Sequence, residues 1–156
     1  MHYRNGASRG GAYAKLLSGR YPFAAAKLKG ASKYPNIEGS IEFFSTPVGV
    51  VVCTEVSGLV PDNETRASRI YGVYIHNTGK CTGESEGSPS ERAEYSYALG
   101  ELPSLFANNG YAWGAVLTGR FTPEDIMGRV VVLRGYADAD AFGESVACGH
   151  ITRIGY

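Results

Sequence analysis

Ile70-Tyr71-Gly72-Val73-Tyr74-Ile75-His76 alternates side chains with a period of two. Val73 and Ile75 fall on one face while Tyr74 and His76 share the other, and β-branched and aromatic residues suit a pleated surface. The turn signal Asn77-Thr78-Gly79-Lys80 follows at once, ahead of Cys81. The stretch therefore reads as a strand, and the face carrying Tyr74 and His76 is where function is expected. An outward His beside a loop and upstream of a cysteine suits a metal ligand or a proton relay, although a surface His with no ligand role is the commoner outcome.

Outward from this strand the same punctuation recurs. Short β segments at 24–29, 37–45, 48–57 and 68–76 are separated by Gly, Pro, Asn or Asp, and the spacing predicts a sandwich or barrel. Within the second segment Ile37, Gly39, Ile41 and Phe43 share a face against Glu38, Ser40 and Glu42, the pattern of a half-buried antiparallel strand. Thr46-Pro47 closes a hairpin, and Val48 to Cys53 is the return strand, with Cys53 expected in the core. Polar loops are expected over 82–99 and 136–145. Asn108-Asn109-Gly110 marks a turn, and strands resume at 111–121, 127–134 and 146–154. Residues 1–22, with Arg4, Arg9, Lys15 and Arg20 among glycines and serines, read as a flexible basic arm ahead of a domain over 23–156.

Composition agrees with a β-rich domain. The chain has 156 residues, enough for one core, and its 21 glycines and 11 tyrosines against 2 methionines favour many tight turns over helices. Fifteen basic and fifteen acidic side chains cancel, so no net field would steer nucleic acid or an anionic membrane. No apolar run reaches the roughly 18 residues that a spanning helix takes, and no uninterrupted apolar stretch opens the chain, so a cytoplasmic location with no membrane partner is expected.

Three cysteines allow one pair and one spare thiol. His2, His76 and His150 are scattered singly, so spacing alone defines no zinc site. The glutamates at 84, 86, 91 and 94 lack the alternating Asp/Asn pattern of a calcium loop. No nucleophile elbow is present. Cys148 and His150 share a strand face, but pairing of Cys148 in a disulfide is preferred over thiol catalysis.

Taken in order from residue 24 to the C-terminus, these pieces resemble the copper/zinc superoxide dismutase family. Ile37-Glu38-Gly39-Ser40-Ile41-Glu42-Phe43 resembles the family's opening Gly-x-Val-x-Phe strand, and Val56-Ser57-Gly58-Leu59 its Gly-Leu turn. Ile70 to His76 resembles the central His-Gly-Phe-His-Val-His strand. Ile126-Met127-Gly128-Arg129-Val130-Val131-Val132-Leu133-Arg134 is similar to Ile-Ile-Gly-Arg-x-Val-Val-x-His, and Ala147-Cys148-Gly149-His150-Ile151 to Ala-Cys-Gly-x-Ile. Gly100-Glu101-Leu102-Pro103-Ser104-Leu105, followed by Gly110-Tyr111-Ala112-Trp113, resembles a bacterial branch of the family.

The resemblance implies an all-β Greek-key sandwich or barrel of about eight strands, with two long loops over one face and Cys81 paired with Cys148. It also implies a copper site held by four histidines and a zinc site held by three histidines and an aspartate, and here the sequence departs from the pattern. Tyr74 stands at the first copper position, His76 keeps the second, and Arg134 replaces the histidine that ends the Val-Val strand. The bridging histidine has no counterpart in 82–99, Tyr71 replaces a structural histidine, and Ser145 lies near the place of the arginine that guides superoxide. At the former zinc positions stand Ala98 and Glu101.

One imidazole beside an always-charged guanidinium cannot make a redox copper site. The expectation is a superoxide-dismutase-like protein with no catalytic residues and no cofactor, kept for binding or structure. Tyr74, His76 and Arg134 would offer a small anion or a protein partner a polar contact, and a homodimer fits the family. The alternative is an enzyme that dismutates superoxide, with zinc as in the family and copper held at a non-standard site around His76.

Overall fold

The structure, a computed structural model, describes residues 17–60, 69–76, 81, 101–135 and 144–155. Eight strands make up nearly all of the regular structure among them: β1 (Ala24–Gly30), β2 (Glu38–Thr46), β3 (Gly49–Ser57), β4 (Ile70–His76), β5 (Glu101–Phe106), β6 (Ala112–Thr118), β7 (Val130–Gly135) and β8 (Ser145–Arg153). A single helical turn, α1 (Pro123–Ile126), follows β6. Every hydrogen-bonded neighbour is antiparallel, and the order β5-β4-β7-β8-β1-β2-β3-β6 winds the strands into a nearly closed barrel.

Alternation decides which side chains fill it. Ile41 and Phe43 of β2, Val50, Val52 and Val56 of β3, Val73 and Ile75 of β4, and Val131 and Leu133 of β7 join one core cluster. At one end Phe121 stacks edge-on against Phe43 with ring centroids 6.3 Å apart, and Phe23 lies against the same ring. Thr122 opens α1, its backbone N–H donating to the Asp125 carboxylate over 2.7 Å, and this bond is the first reason that the carboxyl titrates below its ordinary range.

The β2–β3 hairpin is the one read from Thr46-Pro47, and the Thr46 hydroxyl donates to the Gly49 carbonyl over 2.7 Å. Asn109 and Gly110 both adopt positive φ, 50° and 81°, the geometry of a type I′ turn that Asn-Gly favours. Within the segment read as an arm, residues 17–22 are described, and the Arg20 guanidinium donates to the Ser45 carbonyl at the end of β2. The segment 1–16 and the loops 82–99 and 136–143 lie outside the described residues.

The structure corrects the expected elements in three places. Glu101–Phe106 is a strand where a turn-like connection was expected: Pro103 sits on β5, which pairs with β4 alone, where the register shifts between Tyr71 and Val73, so its missing N–H costs no ladder bond on an outer edge. Ser145, expected in a polar loop, opens β8 opposite Arg134. Cys53 is not core. Val50, Val52, Thr54 and Val56 are the buried partners on the barrel side of β3, which puts Cys53 on the outward face, half-buried.

β5 and β6 flank the remaining seam. Leu105 of β5 leans over Gly114 of β6, where a methyl would stand 2.9 Å from its Cδ2, and the Arg120 guanidinium reaches the Glu101 carbonyl at 3.3 Å. A shallow cleft of about 480 Å³ runs along this seam, lined by Glu101 to Ser104 and by Val116 to Thr118 with Arg120.

A buried polar face outside the barrel

β7 is the strand on which the site turns. Val130-Val131-Val132-Leu133-Arg134 is buried on both faces because β7 lies between β4 and β8 and carries a second apolar layer outside the barrel. Val131 and Leu133 enter the core. Val130 and Val132 face outward and pack with Cys148 and with Cys81, which is tied to Cys148 by a disulfide at a Cα–Cα distance of 5.8 Å. The pairing implied by the family resemblance is thus present, and it joins positions 67 residues apart.

The ladders place the polar residues among these valines. Gly72 faces Arg134 across β4 and β7, Tyr74 faces Val132, and His76 faces Val130. On the other side Cys148 faces Val132 and His150 faces Val130. Glu101 of β5 faces Tyr74. Directly opposed residues of an antiparallel pair share a face with Cβ atoms roughly 5 Å apart. One outward row therefore runs Glu101, Tyr74, Val132, Cys148, and the next runs His76, Val130, His150.

Tyr74 and His76 share this outward face, as the alternation of β4 predicts, and Arg134 of β7 lies opposite Gly72 on it, but the face is not exposed. Tyr74 keeps 1% of its surface, Arg134 2% and His76 4%. The expected surface histidine is a buried one. The ring of Tyr74 folds back over the bare Cα of Gly72, where a methyl group would stand 2.6 Å from Cε2 and 2.9 Å from the hydroxyl oxygen. That directs the phenol toward the row holding Arg134. His150 is exposed and separated from His76 by Val130, and Glu101 shares the row of Tyr74 with its side chain in solvent. Ala98 and His2 lie outside the described residues.

Burial first, and the neighbouring Arg134 guanidinium second, push the His76 imidazole down to about 4. It is neutral at pH 7 and can donate through one ring nitrogen and accept through the other. A phenol, one neutral imidazole and a guanidinium stand at the positions that the resemblance assigns to copper, and one imidazole beside a permanent cation does not fit a redox metal. Among the described residues no three His, Cys, Asp or Glu side chains come together to hold any metal ion.

Two features escaped the sequence reading. Gly72 makes room for Tyr74, and its signal was present in the Gly between two tyrosines. The outward apolar layer of Val130 and Val132 was signalled by a run of four apolar residues at 130–133 that alternation could not assign to one face.

The fold and site define an all-β protein, an eight-stranded antiparallel barrel with a disulfide-pinned outer face. No protein-family model matches the chain, and no curated protein matches it.

Proposed function

We propose that the chain is a superoxide-dismutase-like Greek-key sandwich that has lost its metal chemistry and serves as a non-catalytic binding protein, with a small anion or an acidic group of a partner held at the former copper face. Three things support the kinship: the motifs in their shared order, a strand order in which β6 returns beside β3 and β8 beside β1, and the Cys81–Cys148 bond.

One observation carries the loss of metal chemistry. A permanently charged guanidinium is buried next to the single imidazole left at the copper positions, and it helps to hold that imidazole neutral. A cation entering there meets Arg134. An anion meets the guanidinium fork, the Tyr74 hydroxyl and a ring N–H of His76, all of which can donate.

The test pairs two measurements on one preparation. After loading with copper and zinc and desalting, the protein is expected to retain no stoichiometric copper and to consume no superoxide. Stoichiometric copper with activity that Tyr74→Phe and His76→Gln remove would instead make it a dismutase with a non-standard site. Titration with inorganic phosphate and with bicarbonate, followed by calorimetry, is expected to show binding that Arg134→Ala abolishes and Tyr74→Phe weakens. Unchanged affinity in both folded variants would sink the anion reading.

A further inference from the structure

The outward face of β1, β2, β3 and β6 carries two neighbouring rows of the same make-up. Lys27, Ser40, Glu55 and Trp113 face one another in turn across the strands. One pleat along, Lys29, Glu38 and Ser57 do the same, and Tyr111 ends that row because Val56 faces Ala112. Each row thus runs from an ammonium, through a hydroxyl and a carboxylate in either order, to an aromatic ring. The polar members line a shallow groove of about 480 Å³, and strands spaced about 4.8 Å apart make it roughly 14 Å long. At its β6 end both rings are exposed, Trp113 by 55% and Tyr111 by 44%. The Tyr111 hydroxyl donates to the Glu55 carboxylate over 3.1 Å and so holds it beside Trp113.

We propose that this groove binds a neutral oligosaccharide, with a sugar ring stacked on Trp113. The groove shares no residue with the Tyr74, His76 and Arg134 face, so the inference goes beyond the anion reading and is tested apart from it. Charge selects the ligand. The ammoniums of Lys27 and Lys29 cancel the carboxylates of Glu38 and Glu55, so an anion drawn to the first pair is repelled by the second, and a cation meets the reverse. A sugar carries no charge, and its hydroxyls accept from the ammoniums, donate to the carboxylates and do either with Ser40 and Ser57. One face of its ring is flat and made of C–H groups, the surface that an exposed indole covers well. A protein partner is the poorer match. The described stretch between the lysines and the rings exposes no large apolar side chain of the kind that anchors a protein interface.

Neutral trisaccharides test this on the full chain: cellotriose, chitotriose, maltotriose and mannotriose. At least one is expected to bind with millimolar affinity and to shift the emission of Trp113, the only tryptophan, to the blue. That affinity is expected to be the same at low and high salt, because the ligand brings no charge to be screened. Saturation transfer from the protein is expected to be strongest to the protons on one face of a single sugar ring.

Calorimetry follows the variants, since Trp113→Ala removes the fluorescent reporter. With circular dichroism unchanged, Trp113→Ala is expected to weaken binding by about tenfold or more, and Glu55→Gln by about threefold. Tyr74→Phe, on the other face, is expected to leave it as it was. No saturable binding of any of the four at high millimolar concentration would overturn the proposal. So would binding that Trp113→Ala leaves intact, or affinity for charged probes alone, such as trilysine or a sulfated disaccharide. A blue shift that grows with protein concentration and needs no sugar would assign the rings to a second copy instead.

Discussion

Tyr74 lies over Gly72, two residues back on its own strand, so closely that no side chain fits beneath the ring. Gly72→Ala is therefore expected to destabilise the protein by about 1–3 kcal/mol, the cost of forcing a methyl into a packed site. Urea unfolding measures it. A double-mutant cycle with Tyr74→Ala assigns the cause, because the penalty at Gly72 is expected to shrink once the ring is gone.

Stability depends on pH through His76. Its folded value, about 4, lies below its ordinary 6.5, so between them the unfolded chain binds the extra proton. The contribution is fully present above about 6.5 and is lost as pH falls toward 4, on the order of 3 kcal/mol over the whole window. Urea midpoints from pH 7.5 to 4.5 are expected to drop more steeply in the native chain than in His76→Gln, which subtracts the carboxylates that titrate alongside. Parallel slopes would show that His76 is not held neutral.

Reduction of Cys81–Cys148 releases a closed loop spanning 67 residues of sequence separation. On the chain-entropy estimate the bond contributes about 4 kcal/mol. Cys148→Ser and the reduced native chain are expected to unfold at similarly lowered urea concentrations. The outward valines lose a neighbour too, so the fluorescence of a dye that binds exposed apolar surface should rise before global unfolding.

Tyr34 donates its hydroxyl to the Glu144 carboxylate, which also pairs with Lys33 at 3.5 Å. That hydrogen bond above all, with some burial and the carboxylate charge, raises the phenol to about 12. Carbon-labelled tyrosine spectra over an alkaline titration are expected to show the Tyr34 phenol among the late ones, and Glu144→Gln to bring that phenol alone back toward its ordinary 10.0. A Tyr34 that already titrates near 10 in the native chain would show that the contact does not persist in solution.

The strands were legible where one face is polar. β2 and β4 announced their inward residues by alternation, and the Asn-Gly turn announced itself by the positive φ it needs. β5 was hidden by Pro103, which argues against a strand unless the strand is an edge with an irregular register, and neither property is local. Cys53 was misplaced for a related reason. In Val50-Val51-Val52-Cys53 both faces are apolar, so the parity of β3 is set only by its pairing with β2 and β6.

At the site, the sharing of one face by Tyr74 and His76 could be read from β4 alone. Their burial could not. β7, which lies beside β4 and carries Arg134 and the outward valines, comes from far along the chain, and sequence spacing holds no record of that pairing. The shift of His76 follows from the same contacts and was equally out of reach.

The seam between β5 and β6 leaves the barrel with two rims, and a rim is a template for any extended chain that drifts past, a second partly unfolded molecule included. Pro103 and the irregular register of β5 blunt one rim by denying such a visitor a continuous ladder. Replacing Pro103 by valine would sharpen that rim. The cost would show as turbidity or fibres on prolonged heating, with the folded molecule itself hardly changed.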